Sequence, residues 1–106
     1  MTTFEDRKKA EEAKYKHDQE FHFKATARRN KLLGLWAAEQ FGLKGEEAQA
    51  YAKQVVQADF EKPGDADVVA KVLGDFKARR LEMDEHRIRR QMERLAEEAR
   101  RQIAAQ

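Results

Sequence analysis

The stretch Arg28-Arg29-Asn30-Lys31-Leu32-Leu33-Gly34-Leu35-Trp36 decides how this chain is read, because three cations stand just before its only tryptophan. It lies at the boundary between a segment that cannot build a core and one that can. Upstream, residues 1–20 hold eleven charged side chains, with only Met1, Phe4 and Tyr15 as large apolar groups. Downstream, apolar residues recur at helical spacing almost to the C-terminus. The expected architecture is a polar arm, residues 1–20, on a small helical body, residues 21–106. A chain of that kind acts by contact with another macromolecule.

Working outward, three breaks divide the body. Gly42-Leu43-Lys44-Gly45 can close a helix with glycine in a left-handed conformation. Pro63-Gly64-Asp65 stops the next, with Asp65 as the expected acceptor for the free amides that follow. The weaker third break is Leu81-Glu82-Met83-Asp84, with Asp84 as N-cap and Glu85 at the positive helix end. These signals predict helices near 21–41, 46–61, 66–80 and 85–104.

Each predicted helix carries an apolar stripe. The first offers Phe21, Ala25, Leu32, Leu35, Trp36 and Phe41; the second Ala48, Tyr51, Ala52, Val55, Val56 and Phe60. The third offers Val68, Val69, Val72, Leu73 and Phe76, and the fourth Ile88, Met92, Leu95, Ala99 and Ile103. The valines disfavour helix by a few tenths of a kcal/mol each, about. Burial of one such side chain returns roughly 1.5–3 kcal/mol, so packing wins. Strand signals are absent, and short connections favour antiparallel neighbours, so the fold expected is an all-α four-helix bundle. Trp36 is expected as a core anchor between the first two helices.

The arm differs in kind. Pairs such as Glu5 with Lys9 contribute about 0.2–0.5 kcal/mol each on a helix. Ordering costs about 1–2 kcal/mol per residue, so without a buried face the segment is expected to be disordered or partly helical. Against a partner it can become a helix, with Phe4 and Tyr15 as anchors and Arg7, Lys8, Lys9, Lys14 and Lys16 reading charge.

Composition excludes several classes. The 106 residues suit one domain, and 22 basic against 20 acidic residues give a net charge of +2. That near-balance argues against a dedicated nucleic-acid binder, which needs excess cations. There is no cysteine, hence no disulfide or thiol chemistry. No apolar run approaches the ~20 residues of a membrane span. With no serine, no phosphate-cradling glycine loop and three scattered threonines, no catalytic constellation forms, and the chain reads as a non-enzyme. His17 and His22 would point about 140° apart on a helix, which is no metal site, and no cofactor is expected.

One further cluster stands out. Lys24, Arg28, Arg29 and Lys31 give the first helix a cationic excess, readable as a docking face for an acidic protein surface. The same patch could instead hold nucleotide phosphates weakly, with Trp36 stacked on the base.

Several segments together carry a family resemblance: His17-Asp18-Gln19-Glu20, Phe23-Lys24, and the run from Ala27 through Glu39. It continues through Gly42-Leu43, Tyr51-Ala52-Lys53, Val55-Val56, Asp59-Phe60-Glu61, Pro63-Gly64-Asp65, His86, Ile88-Arg89-Arg90 and Met92. Over nearly its whole length the chain resembles the zeta inhibitor subunit of alphaproteobacterial F-type ATP synthases. The resemblance implies reversible inhibition of ATP hydrolysis, the arm wedging between α and β subunits near γ. It also implies a cytoplasmic protein held peripherally at the inner membrane through the ATP synthase. Two departures from the family pattern are the third break, which lacks glycine and is expected to tilt or prolong helix three, and Lys44, in place of a small hydroxyl residue.

Two other readings compete from the residues alone. One is a small nucleotide- or RNA-binding helical module using Arg28, Arg29, Lys31 and Trp36. The other is a homodimeric scaffold with Ile88, Met92, Leu95 and Ala99 as a coiled-coil seam.

Overall fold

Four helices follow one another in the computed structural model of the chain: α1 (Thr3–Gln40), α2 (Gly45–Glu61), α3 (Asp65–Ala78) and α4 (Glu85–Ala104). The structure describes the backbone of residues 3–61 and 64–106, and the side chains of residues 17–60 and 64–106. Among the described residues there is no strand. Consecutive helices pack against each other and α4 closes back on α1; α2 and α4 do not meet. The result is the expected four-helix bundle, in which α1 and α3 each touch all three other helices and α1 packs mainly on α2 and α4.

From Thr3 to Gln40, the described part of the segment expected as the arm and the helix expected over 21–41 form one 38-residue helix. At about 1.5 Å per residue it is roughly 57 Å long, against roughly 21–30 Å for its partners. Its partners therefore cover only part of its length.

The core explains the stripes. Val68, Val69, Val72 and Phe76 of α3 are buried, as are Ile88, Met92, Leu95 and Ala99 of α4. The α4 stripe is thus spent inside the chain, and the coiled-coil seam that a homodimeric scaffold would need is already occupied. On α1 the buried apolar side chains are Ala25, Leu33, Ala37 and Ala38, while Leu32, Leu35, Trp36 and, just past the helix end, Phe41 are half-buried. The stripe is shifted because α1 is flanked on several sides, so its apolar arc is broad and its centre falls on Leu33 and Ala37.

Small residues bring α1 and α2 together. A Cβ added at Gly34 would stand 2.6 Å from the Ala52 Cα, inside any tolerable contact. Glycine and alanine are there because the two backbones cross with nothing between them.

Two expectations on the core need correction. Trp36 does not sit between α1 and α2: it packs on Phe76 of α3, ring centroids 5.7 Å apart, and it is only half-buried. Five positions from Lys31 on a helix, it points to a different side of α1. Phe60, expected in the α2 stripe, is 58% exposed. It lies near the end of α2, where its ring partner is the equally exposed Phe23 of α1.

The breaks show how the ends are finished. At the end of α1 the Leu43 N–H donates to Ala38 O (2.9 Å) and the Gly42 N–H to Glu39 O (3.1 Å), with Gly42 at φ 79°. This paired closure satisfies carbonyls the helix leaves open. The third break repeats it without glycine. Leu81 N–H donates to Phe76 O (3.0 Å) and Arg80 N–H to Lys77 O (3.0 Å), with Arg80 at φ 57°. Helix three is therefore not prolonged: arginine takes the left-handed position and α3 stops at Ala78. Asp84 caps α4 as expected, its Oδ1 accepting the Arg87 N–H at 2.8 Å. Asp65 is not the cap of α3. Gly64 occupies that position with no side-chain bond, and Asp65 turns to Arg29 instead.

Candidate functional site

α1 is the element that carries both expected site groups. Phe4, Arg7, Lys8, Lys9, Lys14, Tyr15 and Lys16 occupy positions on it, and their side chains lie outside the described residues. Immediately after them, His17, Asp18, Gln19 and Glu20 are exposed. Phe21 is half-buried in a cleft shared with Ala96 and Arg100 of α4, and Ala25 one turn later is buried. Phe23 leans on Phe60 of α2, centroids 5.6 Å apart.

The four cations expected as a docking patch separate into two groups. Lys24, Arg28 and Lys31 line one groove, together with Phe23, Ala27, Val56 and Ile103. Arg29 points elsewhere, its Nη2 donating to Asp65 Oδ1 at 2.9 Å and to Asn30 Oδ1 at 2.8 Å. Arg28 is held too: its Nη1 donates to Gln102 Oε1 (2.8 Å), and Gln102 Nε2 in turn donates to Glu98 Oε1 (3.2 Å). Bonds from Gln102 and Arg101 hold the Glu98 carboxyl below the usual carboxylate range. Lys24 and Lys31 are exposed, with no ion pair among the described residues.

The rival base-stacking site does not assemble from the cations proposed for it. The cations beside Trp36 are Arg87, Arg90 and Arg94 of α4, in a groove that also holds Met83, Gln91, Glu93 and Glu97. Arg87 is committed to Asp84 (3.4 Å) and Arg94 to Gln91 (3.3 Å). Two glutamates in the same lining offset the remaining charge.

A second polar cluster ties α2 to α3. The Tyr51 hydroxyl donates to Asp75 Oδ2 (2.8 Å), which also receives Lys71 Nζ (2.9 Å). Arg79 lies over the Phe41 ring at 4.1 Å and donates to Asp75 O at 3.1 Å. Burial first, then the bond to the Asp75 carboxylate, push the Tyr51 hydroxyl far above the ordinary tyrosine pKa. The cluster locks helices together and offers no nucleophile.

Sequence reasoning missed two residues near the patch. Asn30 is fully buried, and its only signal was a polar residue amid apolar neighbours at helical spacing. Lys53 of α2 lines the same side of the molecule as Lys31, a juxtaposition visible only once α1 and α2 are crossed. Among the described residues no group of three His, Asp or Glu could hold a metal, and no helix is long and apolar enough to cross a membrane.

Comparison with known proteins fits this geometry. A family model described as ATPase inhibitor subunit zeta matches residues 1–102, the arm included. A protein solved by solution NMR is 49% identical, aligning over 78% of this chain and 94% of its own with a TM-score of 0.69. No curated protein matches the sequence.

Proposed function

The chain belongs to the ATPase inhibitor subunit zeta family, and from that premise we propose that it blocks ATP hydrolysis by the F-type ATP synthase through the N-terminal part of α1. The observation that carries this reading is the single helix Thr3–Gln40, far longer than the bundle that holds its C-terminal half. Residues 1–20 enter a catalytic interface between α and β near the γ shaft. There Phe4 and Tyr15 anchor in apolar recesses, and Arg7, Lys8, Lys9, Lys14 and Lys16 meet acidic groups. Rotation one way expels such a wedge and rotation the other way traps it, so hydrolysis stops while synthesis continues. The body raises the local concentration of the arm at its site. In this role the chain works in the cytoplasm, peripheral to the inner membrane, and itself catalyses nothing.

The test is ATP hydrolysis by a purified alphaproteobacterial ATP synthase with the protein added back. Full-length chain stops hydrolysis and spares synthesis. A chain lacking residues 1–17 loses no residue of the described core, so it keeps the bundle while inhibition largely vanishes. Reversal of Lys8 and Lys9 gives a milder loss, since exposed pairs contribute at most about 1 kcal/mol each. A truncated chain that inhibits as well as the intact one refutes the wedge.

A further inference from the structure

Two phenylalanines stand in water where α1 meets the end of α2. Phe23 and Phe60 are each 58% exposed and their rings touch, 5.6 Å between centroids. Single exposed apolar residues are ordinary, whereas a contiguous aromatic pair rimmed by charge marks an interaction surface. Three exposed lysines stand around it. Lys24 and Lys31 project from α1, about 10 Å apart along the helix, and Lys53 projects from α2. Val56 lies between them, shared by the two grooves that these lysines line.

All three lysines are exposed and none has an ion-pair partner among the described residues. Five other cations are paired among the described residues: Arg29 with Asp65, Lys71 with Asp75, Arg87 with Asp84, Arg89 with Glu85 and Arg101 with Glu98. Others, such as Lys44, Lys77 and Arg90, are not. What sets this face apart is three unpaired lysines around an exposed aromatic pair. Among the described residues, Glu20 one helical turn before Lys24, Glu46 at the far end of the α2 groove and Asp59 beside Phe60 make no ion pair with these lysines. The face thus joins exposed apolar area to uncompensated positive charge.

We infer that this face, built on Phe23, Phe60, Lys24, Lys31, Lys53 and Val56, is a second docking surface for the head of the ATP synthase. Its occupant is a protein surface bearing carboxylates around an apolar recess, next to the entry point of the arm. This rests on the proposed inhibitory role and adds to it a contact outside the catalytic interface. Charge complementarity selects an acidic partner. Continuity selects the place: the arm and Phe23 belong to one helix, so whatever holds the arm has this face beside it. A polyanionic nucleic acid is disfavoured by the chain's near-neutral balance of 22 basic against 20 acidic residues.

The experiment uses the full chain, fluorescently labelled, titrated against the purified ATP synthase head at low and moderate salt. Phe60→Ser and the double substitution Lys24→Glu with Lys31→Glu each raise Kd about tenfold or more, and the double charge variant also flattens the salt dependence. At saturating concentration both variants still inhibit hydrolysis fully, because the arm is untouched. Arg90→Glu, on α4 and also without an ion-pair partner, binds as the parent does. Lys53→Glu, at an exposed site within α2, repeats the charge test should a variant on α1 lose helicity.

Unchanged Kd in these variants overturns the surface and leaves the inhibitory role standing. A substitution that leaves Kd alone but alters self-association of the free chain assigns the face to a second copy and also overturns it. A parent chain that neither binds the head nor inhibits overturns the inhibitory role, and this inference with it.

Discussion

Arg29 and Asp65 join the middle of α1 to the first residue of α3, Nη2 to Oδ1 at 2.9 Å, and the same nitrogen also serves the buried Asn30. The two ends of this pair are unequal. The arginine side chain is 12% exposed, the aspartate 54%. Arg29 is therefore less a surface charge than the donor to the oxygen of a buried amide, whose Nδ2 finds no partner.

That inequality sets the first prediction. Asp65→Ala costs less than about 1 kcal/mol, as exposed ion pairs do. Arg29→Ala costs about 1–3 kcal/mol, because Asn30 Oδ1 is then buried without its donor. Urea unfolding of the two variants checks the ranking, and equal losses refute this account of Asn30.

The helix crossing gives the second. Gly34→Ala drives a Cβ into the Ala52 backbone and forces α1 and α2 apart. The expected loss is about 1–3 kcal/mol, despite alanine's better helix propensity of up to ~1 kcal/mol. Gly74→Ala is the internal control, since a Cβ there meets nothing within 4 Å. It raises the melting temperature slightly where Gly34→Ala lowers it.

Arg80 supplies the third. A non-glycine residue in the left-handed region is strained by roughly 1–2 kcal/mol, and its side chain makes no hydrogen bond or ion pair with the described residues. Arg80→Gly relieves the strain at some cost in unfolded-state entropy, so a net gain of about 0.5–1 kcal/mol is expected. Thermal unfolding decides it; a lower melting temperature would show that the arginine is held by something other than its backbone.

Tyr51 gives a pH signature. Its hydroxyl binds its proton more tightly folded than unfolded, so the contribution is complete below the ordinary tyrosine pKa of about 10. As pH rises past about 10 the unfolded chain loses the proton first, and stability falls until the folded group ionises. Tyr51→Phe costs about 0.5–1.5 kcal/mol near neutrality, with Asp75 still held by Lys71. It also makes the stability curve flatter above pH 10. Melting temperatures of both proteins between pH 8 and 11 test this.

Much of the fold could be read from the residues, because periodic valines and sparse glycines admit few interpretations. Helices two to four and their stripes fall where the spacing places them. The failures share a cause: local pattern does not say which neighbour lies opposite. Helical spacing reads Trp36 as a core anchor between the first two helices, whereas Phe76 of α3 receives it. Phe60 continues the stripe in spacing, but at that level of the bundle it meets only the exposed ring of Phe23. Arg80 broke the glycine rule because two backbone bonds to Phe76 and Lys77 hold the turn there. Of the basic patch, Lys24 and Lys31 stay exposed without partners, while Arg28 and Arg29 are drawn to Gln102 and Asp65, residues distant in sequence.

The unbroken course of α1 has a geometric corollary. A helix without a hinge transmits rotation, so the face at Phe23 is in fixed phase with the residues a few turns earlier on α1. Each residue added between Glu20 and Phe21 turns the bundle by about 100° and moves it outward by about 1.5 Å. Seven added residues nearly restore the angle and change only the reach. On the proposed inhibitory role, the spacing between residues 1–20 and the bundle is thus an angular setting as much as a length.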